Sequence, residues 1–210
     1  MADTSGILSE TAVANMGAAI LDEPDMASLD DTTAFARLCA RQFGFARDQL
    51  LRAHPWSFNK AMAALAADAA APTFRWDYAY TLPTDCLRLY TIREYNNGAK
   101  TPYELYGRKI YTDEAAPLNI IYGQRITNAA LFDPLFAQAL GARLAILGAQ
   151  RITGKTNYID KAREEFAAAM QTAVHVNALE KGSDDYVDSD GWDGAGYDVL
   201  GVRGVGFGGW

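Results

Sequence analysis

Two cysteines and two histidines among 210 residues leave little material for redox or acid–base chemistry. Cys39 and Cys86 make no disulfide framework, and the expectation is a chain made in a reducing, cytosolic compartment. No run approaches the roughly 18–20 apolar residues of a membrane span. The opening "MADTSGILSE" has no basic stretch followed by an apolar one, so it does not read as a secretory signal. Positive charge is also scarce: 19 basic residues stand against 26 acidic ones, a net charge of −7. Its distribution is uneven. Residues 183–210 hold six Asp and one Arg, which is −5, while residues 1–182 hold 20 acids and 18 bases, which is −2. A near-neutral body with an acidic end lacks the Lys and Arg needed to displace counterions from duplex DNA. Such a body can still line a path along which DNA slides without sticking.

Motifs for chemistry are present only in fragments. Gly154-Lys155-Thr156 has the ending of a phosphate-binding loop, but Gly148 leaves five intervening residues where four are needed, and a helix precedes it instead of a strand. The segment predicts an interhelix turn. Gly204, Gly206 and Gly209 match the dinucleotide fingerprint in spacing, yet only Trp210 follows, and the fingerprint works by opening a helix onto the pyrophosphate. In "DSDGWDG", aligning Gly191 with the central glycine of a calcium loop puts Tyr186 and Tyr197 where carboxylates belong. His54 beside Pro55, His175 between two valines, Cys39 on an apolar helical face and Cys86 at a strand start form no triad or zinc spacing. No catalytic residue, cofactor or metal is therefore expected, and a small hydrolase or nucleotide-binding protein using Gly154-Lys155-Thr156 is the weakest alternative.

Half of the residues are hydrophobic, and aromatics are plentiful at 11 Tyr, 9 Phe and 4 Trp, so a sizeable core can be buried. Helical periodicity marks about 7–21, with Ile7, Leu8, Val13, Met16, Ile20 and Leu21, and about 32–54 after a cap at Asp30 or Asp31. On the second helix Phe35, Leu38, Cys39, Phe45, Ala46 and Leu50 form one apolar face. Arg37, Arg41, Asp48 and Arg52 form the opposite one, and Pro55 ends the helix. Strands are expected within 56–126. "RWDYAYTLP" alternates in period two, and "CLRLYTIRE", "YELYGRKIYT" and "LNIIYGQRI" read as one strand each. Asn97-Gly98 supplies a hairpin turn between the first two of these. "WSFNKAMAAL" reads as partly strand, though its Ala-rich end equally suits a helix. Asp133-Pro134 then opens a helix over 134–150, and a last helix covers 156–180 with Tyr158, Ala162, Phe166, Ala169, Ala173 and Val176 inward. The order of elements predicts an α+β fold, a helical bundle with an inserted antiparallel sheet region and an extended C-terminal arm over 183–210.

Three segments carry a family resemblance: "AVANMGAAILDEPDMASLDD", "ARLCARQFGFARDQLLRAHPWSFNKA" and "YAYTLPTDCLRLYTI". An Asn-containing early helix (Asn15), a break at Ser28-Leu29-Asp30-Asp31, a long helix running into Leu50–Phe58 and a strand opening over Tyr80–Leu89 occur in one order. The chain thereby resembles the head-to-tail adaptor of short-tailed bacteriophages, the tail tubular protein A family, over about residues 8–180 and most strongly over 28–90. The resemblance implies a structural virion protein, not an enzyme. It implies a dodecameric ring of copies of this chain joining the portal protein to a tail nozzle (tail tubular protein B-like), with genome DNA passing through the lumen without specific binding. Location in the virion tail, after synthesis in the host cytoplasm, goes with it. Another ring connector or stopper of a phage virion is the alternative.

The last 28 residues match no signature of that family. In "GYDVLGVRGVGFGGW" glycine alternates with apolar side chains, too flexible to fold alone and too apolar for an ordinary linker. Val199, Leu200, Val202, Val205, Phe207 and Trp210 are expected to dock on a neighbouring subunit or the portal, and Arg37, Arg41, Asp48 and Arg52 to serve subunit contacts.

Overall fold

Three α-helix starts among the described residues are set by short polar side chains placed directly before the helix. In the computed structural model, which describes residues 8–92 and 101–180, Ser9 accepts from Ala12 N–H at 3.0 Å and opens α1 (Glu10–Ile20). Thr33 accepts from Ala36 N–H at 3.1 Å and opens α2 (Ala34–Ala53). Asp133 accepts from Leu135 and Phe136 N–H and opens α3 (Pro134–Thr153), whose first residue is the expected proline. α3 ends on Gly154 with φ 64°, a left-handed cap that any Cβ would strain, and α4 (Thr156–Leu179) follows after Lys155. The Gly-Lys-Thr segment is thus the turn between α3 and α4. The cap of α2 corrects the expectation of Asp30 or Asp31, because a cap must directly precede the first helical turn. Asp31 instead accepts from Ala27 and Ser28 N–H, closing the loop before the helix.

Six strands lie between the helix pairs: β1 (Lys60–Leu65), β2 (Tyr78–Thr81), β3 (Cys86–Ile92), β4 (Glu104–Tyr106), β5 (Lys109–Thr112) and β6 (Leu118–Gln124). They make two antiparallel sheets, ordered β1-β6-β3 and β2-β5-β4. The fold is α+β, as the order of elements predicts. The chain divides into a helical unit, drawn from the sequence before and after the strands, and a sheet unit over Asn59–Arg125.

In the sheet unit Tyr80, Ile110, Leu118, Ile120 and Tyr122 are buried in one cluster supplied by both sheets, with Ala61, Ala63 and Leu65 of β1 packed against it. β1 settles the ambiguity of "KAMAAL". Its residues alternate between exposed and half-buried while pairing from Lys60↔Gly123 to Leu65↔Leu118, so the pairing edge of β6 outweighs alanine's helix preference. The single strand expected at "YELYGRKIYT" is a hairpin of β4 and β5, because Gly107 takes φ 62° and turns the chain. Trp76, expected inside a strand, precedes β2 and donates its Nε1–H to Glu104 at 3.2 Å. β3 and β4 belong to different sheets, against the hairpin expected between them. Asn97-Gly98 itself, like Ile7, lies outside the described residues.

In the helical unit α1 crosses α3 so closely that a Cβ on Gly17 would stand 2.5 Å from the Gly141 carbonyl oxygen. Phe35, Leu50, Phe136, Leu140, Leu144 and Phe166 are fully buried around this crossing. Each contributes roughly 1.5–3 kcal/mol by leaving water. Side chains also fasten the loops. Asn15 exchanges two hydrogen bonds with the Met26 backbone, at 3.0 and 2.9 Å, and Trp56 Nε1–H donates to the Leu50 carbonyl at 2.9 Å.

Candidate interaction surfaces

Residues 37, 41, 45, 48 and 52 recur at helical spacing and share one face of α2. The structure brings all four expected contact residues to this face: Arg37, Arg41 and Arg52 are exposed and Asp48 is half-buried. Asp48 is engaged by Arg47, whose Nε and Nη2 reach its Oδ1 at 2.9 and 2.8 Å. Phe45 stands in the middle of this face, 62 % exposed, which corrects its expected place in the core. Phe43 is buried instead. Phe43, four residues after Cys39 and seven before Leu50, lies within the buried arc of α2, whereas Phe45, four residues after Arg41, lies on the arginine stripe, so the helical period itself separates the two.

The second surface is a cleft of about 170 Å³ in the helical unit. Trp56, Phe58, Phe132, Ala173 and Val176 line it. The rings are locked: Trp56 lies 5.4 Å and Phe58 5.1 Å from Phe136, both edge-to-face, and Phe132 lies 5.2 Å from the same ring. Asn177 closes the inner end. Its Oδ1 accepts from Ser57 N–H at 2.6 Å and Ser57 O–H at 2.8 Å, and its Nδ2 faces His54 Nε2 at 2.8 Å. The amide is thereby committed to the chain, and the cleft offers mainly apolar surface. Asp133 and Glu180 add carboxylates at its border, and Leu131, another lining residue, is 61 % exposed. The sequence carried one sign of this arrangement. Asn177 falls four residues after Ala173, on the inward stripe of α4, where an amide must find partners.

In the sheet unit Glu104 gathers the edge strand β4. It accepts from Trp76 Nε1–H and from the Tyr106 hydroxyl, and pairs with Arg75 at 2.7 Å. The Tyr106 hydrogen bond, chiefly, holds the Glu104 carboxyl below its ordinary value, and the same bond raises the Tyr106 phenol. Arg75 has φ 74°, left-handed for a non-glycine residue, and its guanidinium lies 5.3 Å from the Trp76 ring. Phe74, Leu105 and Tyr106 are exposed beside it.

Burial pushes the Cys39 thiol up to about 12, which disfavours its thiolate at neutral pH. Cys86 is buried in the sheet unit, His54 is buried against Trp56 at 4.7 Å, and His175 is exposed on α4. Among the described residues no three His, Cys, Asp or Glu side chains converge as a metal site, and no helix is long and apolar enough to cross a membrane. Val199, Leu200, Val202, Val205, Phe207 and Trp210 lie outside the described residues. No protein-family model matches the chain, and no curated protein matches it.

Proposed function

We propose that the chain is a structural component of a phage virion, a head-to-tail adaptor whose copies close into a ring between portal and tail nozzle. The observation that carries this reading is the α2 face. A phenylalanine left 62 % exposed between arginines is a poor arrangement for a solitary protein and a suitable one for a subunit contact. Aromatic and arginine side chains are the usual anchors of protein interfaces, and Arg37, Arg41, Phe45 and Arg52 present both kinds on one rigid helix. The residues that carry the family resemblance support it in another way, because they fasten the fold: Asn15 holds Met26, Asp31 closes the 27–31 loop, Trp56 holds Leu50, and His54 and Ser57 meet Asn177. Their spacing follows from one architecture and not from a reaction.

In this role the near-neutral body suits a lumen through which DNA passes, since few fixed cations are available to hold phosphates. The arm over 183–210 engages a neighbouring subunit or the portal once the ring forms. Native mass spectrometry of the purified protein, alone and mixed with the portal of the same phage, tests the proposal. The expected result is a small species that joins the portal in about a dozen copies, as closed cyclic symmetry requires one copy per position. A protein that stays small in the presence of the portal overturns it.

A further inference from the structure

The aromatic cleft of the helical unit lies where the described chain ends. Glu180 is both its border and the residue after α4, and thirty residues follow, from 181 to 210. We infer that in the free protein this cleft is the docking site for residues 199–210 of the same chain, with Phe207 and Trp210 as the side chains that enter it.

Size, charge and tether all favour that occupant. At about 170 Å³ the cleft is smaller than the roughly 300–1,000 Å³ of small-molecule sites. It equals about six times the volume share of one water, a space on the scale of aromatic side chains. Its polar amide, Asn177, is already bonded to Ser57 and His54, so the remaining surface selects an apolar guest. The border carries Asp133 and Glu180. Within the following residues, 184–193 hold five Asp and would be repelled there, whereas 199–210 hold no acidic side chain and include Arg203, the one base of residues 183–210. Eighteen residues, 181–198, separate Glu180 from Val199, a covalent reach of up to about 60 Å. A tether of that length presents its end at an effective concentration of order millimolar. At micromolar protein the chain's own segment therefore outcompetes that of a second copy. Leu131, and Leu179 one turn on from Val176, are 61 and 73 % exposed at the same end of the unit and supply further apolar surface for the guest.

Docking of this kind keeps the arm folded back until assembly draws it to a neighbour. The inference uses residues of the helical unit alone and stands whether or not the chain is an adaptor. Hydrogen exchange of the full-length free protein tests it without the portal. Peptides covering 129–136 and 173–180 are compared between the natural chain and a full-length variant carrying Phe207→Ser and Trp210→Ser. Exchange there should run about tenfold faster in the variant, the factor expected when the effective concentration is about ten times the segment's Kd. Arg203→Glu should also speed it, and Glu180→Arg in the same chain should restore the slower rate. Protection that is unchanged between 1 and 100 micromolar protein, taken as about a hundredfold dilution, marks an intramolecular contact. Equal exchange in natural chain and variant overturns the inference, and protection that grows with concentration overturns it too by assigning the cleft to another copy's arm.

Discussion

Asn177 ties together parts of the chain far apart in sequence. One amide accepts twice from Ser57 and faces His54, spanning more than 120 positions, and it does so almost entirely buried. Asn177→Ala removes the partner and leaves buried polar groups of the 54–57 turn unsatisfied, which costs about 1–3 kcal/mol. Urea unfolding of this variant should show that loss. A change below about 0.5 kcal/mol, the ordinary scatter of surface substitutions, would mean that water replaces the amide. Asp68 gives a prediction of opposite accessibility. Chiefly through a hydrogen bond from Lys109 at 2.7 Å, its carboxyl is held below the ordinary 3.8, and the Lys109 ammonium is raised in return. A lowered carboxyl contributes stability that is present above the unfolded value and lost as pH falls through the folded value. Asp68→Asn should therefore flatten the decline of stability with acid below about pH 4, by a small amount because the Lys109 side chain is half exposed. Thermal unfolding followed from about pH 5 to about pH 2.5 checks it, and identical acid limbs in both proteins would deny Asp68 that role.

At the scale of elements, the crossing of α1 and α3 depends on what two residues lack. A methyl group on Gly17 meets the Gly141 carbonyl oxygen, and one on Gly141 meets Val13 oxygen and Met16 Cβ at 2.9 Å. These are largely backbone atoms, which cannot swing aside. Gly17→Ala gains about 1 kcal/mol of helix propensity and loses about 1–3 kcal/mol to overpacking. It should be destabilising overall, by up to about 2 kcal/mol on chemical denaturation. A stabilised variant would show that the two helices can separate at no cost. The β4–β5 hairpin is a different kind of element, local in origin, since Gly107 alone supplies the positive φ that reverses the chain. Its edge strand carries the Glu104 cluster, in which one carboxylate holds Arg75, Trp76 and Tyr106 in place.

For the molecule as a whole, assembly should be separable from folding. Phe45 and Arg41 are exposed on α2 and take no part in the buried core. Phe45→Ser exchanges residues of similar helix propensity at an exposed site, so monomer stability should move by less than about 0.5 kcal/mol. Incorporation on the portal should fall at least about tenfold, the size expected for loss of an interfacial aromatic anchor. Arg41→Glu should act in the same direction by reversing a charge on the same stripe. Native mass spectrometry with the portal reads both, and full incorporation of both variants would remove α2 from the contact.

What the sequence determined by itself is what near neighbours along the chain decide. Asp133-Pro134 opened α3, Gly154 closed it, and the 3.6-residue stripe of α4 was inward where it was expected, because capping and periodicity involve residues within one or two turns. The α+β order followed from the same local patterns. Tertiary structure decided whatever depended on a distant partner. "KAMAAL" became a strand because β6 offered hydrogen bonds to it. Asn177 meets His54 and Ser57 only because α4 packs back along α3. The aromatic cleft is of this second kind: Trp56, Phe132 and Val176 come from three separate segments, and no spacing in the sequence relates them. The α2 stripe is of the first kind, for periodicity puts Arg37, Arg41, Phe45, Asp48 and Arg52 on one face, and only the apolar character of Phe45 suggested a place in the core.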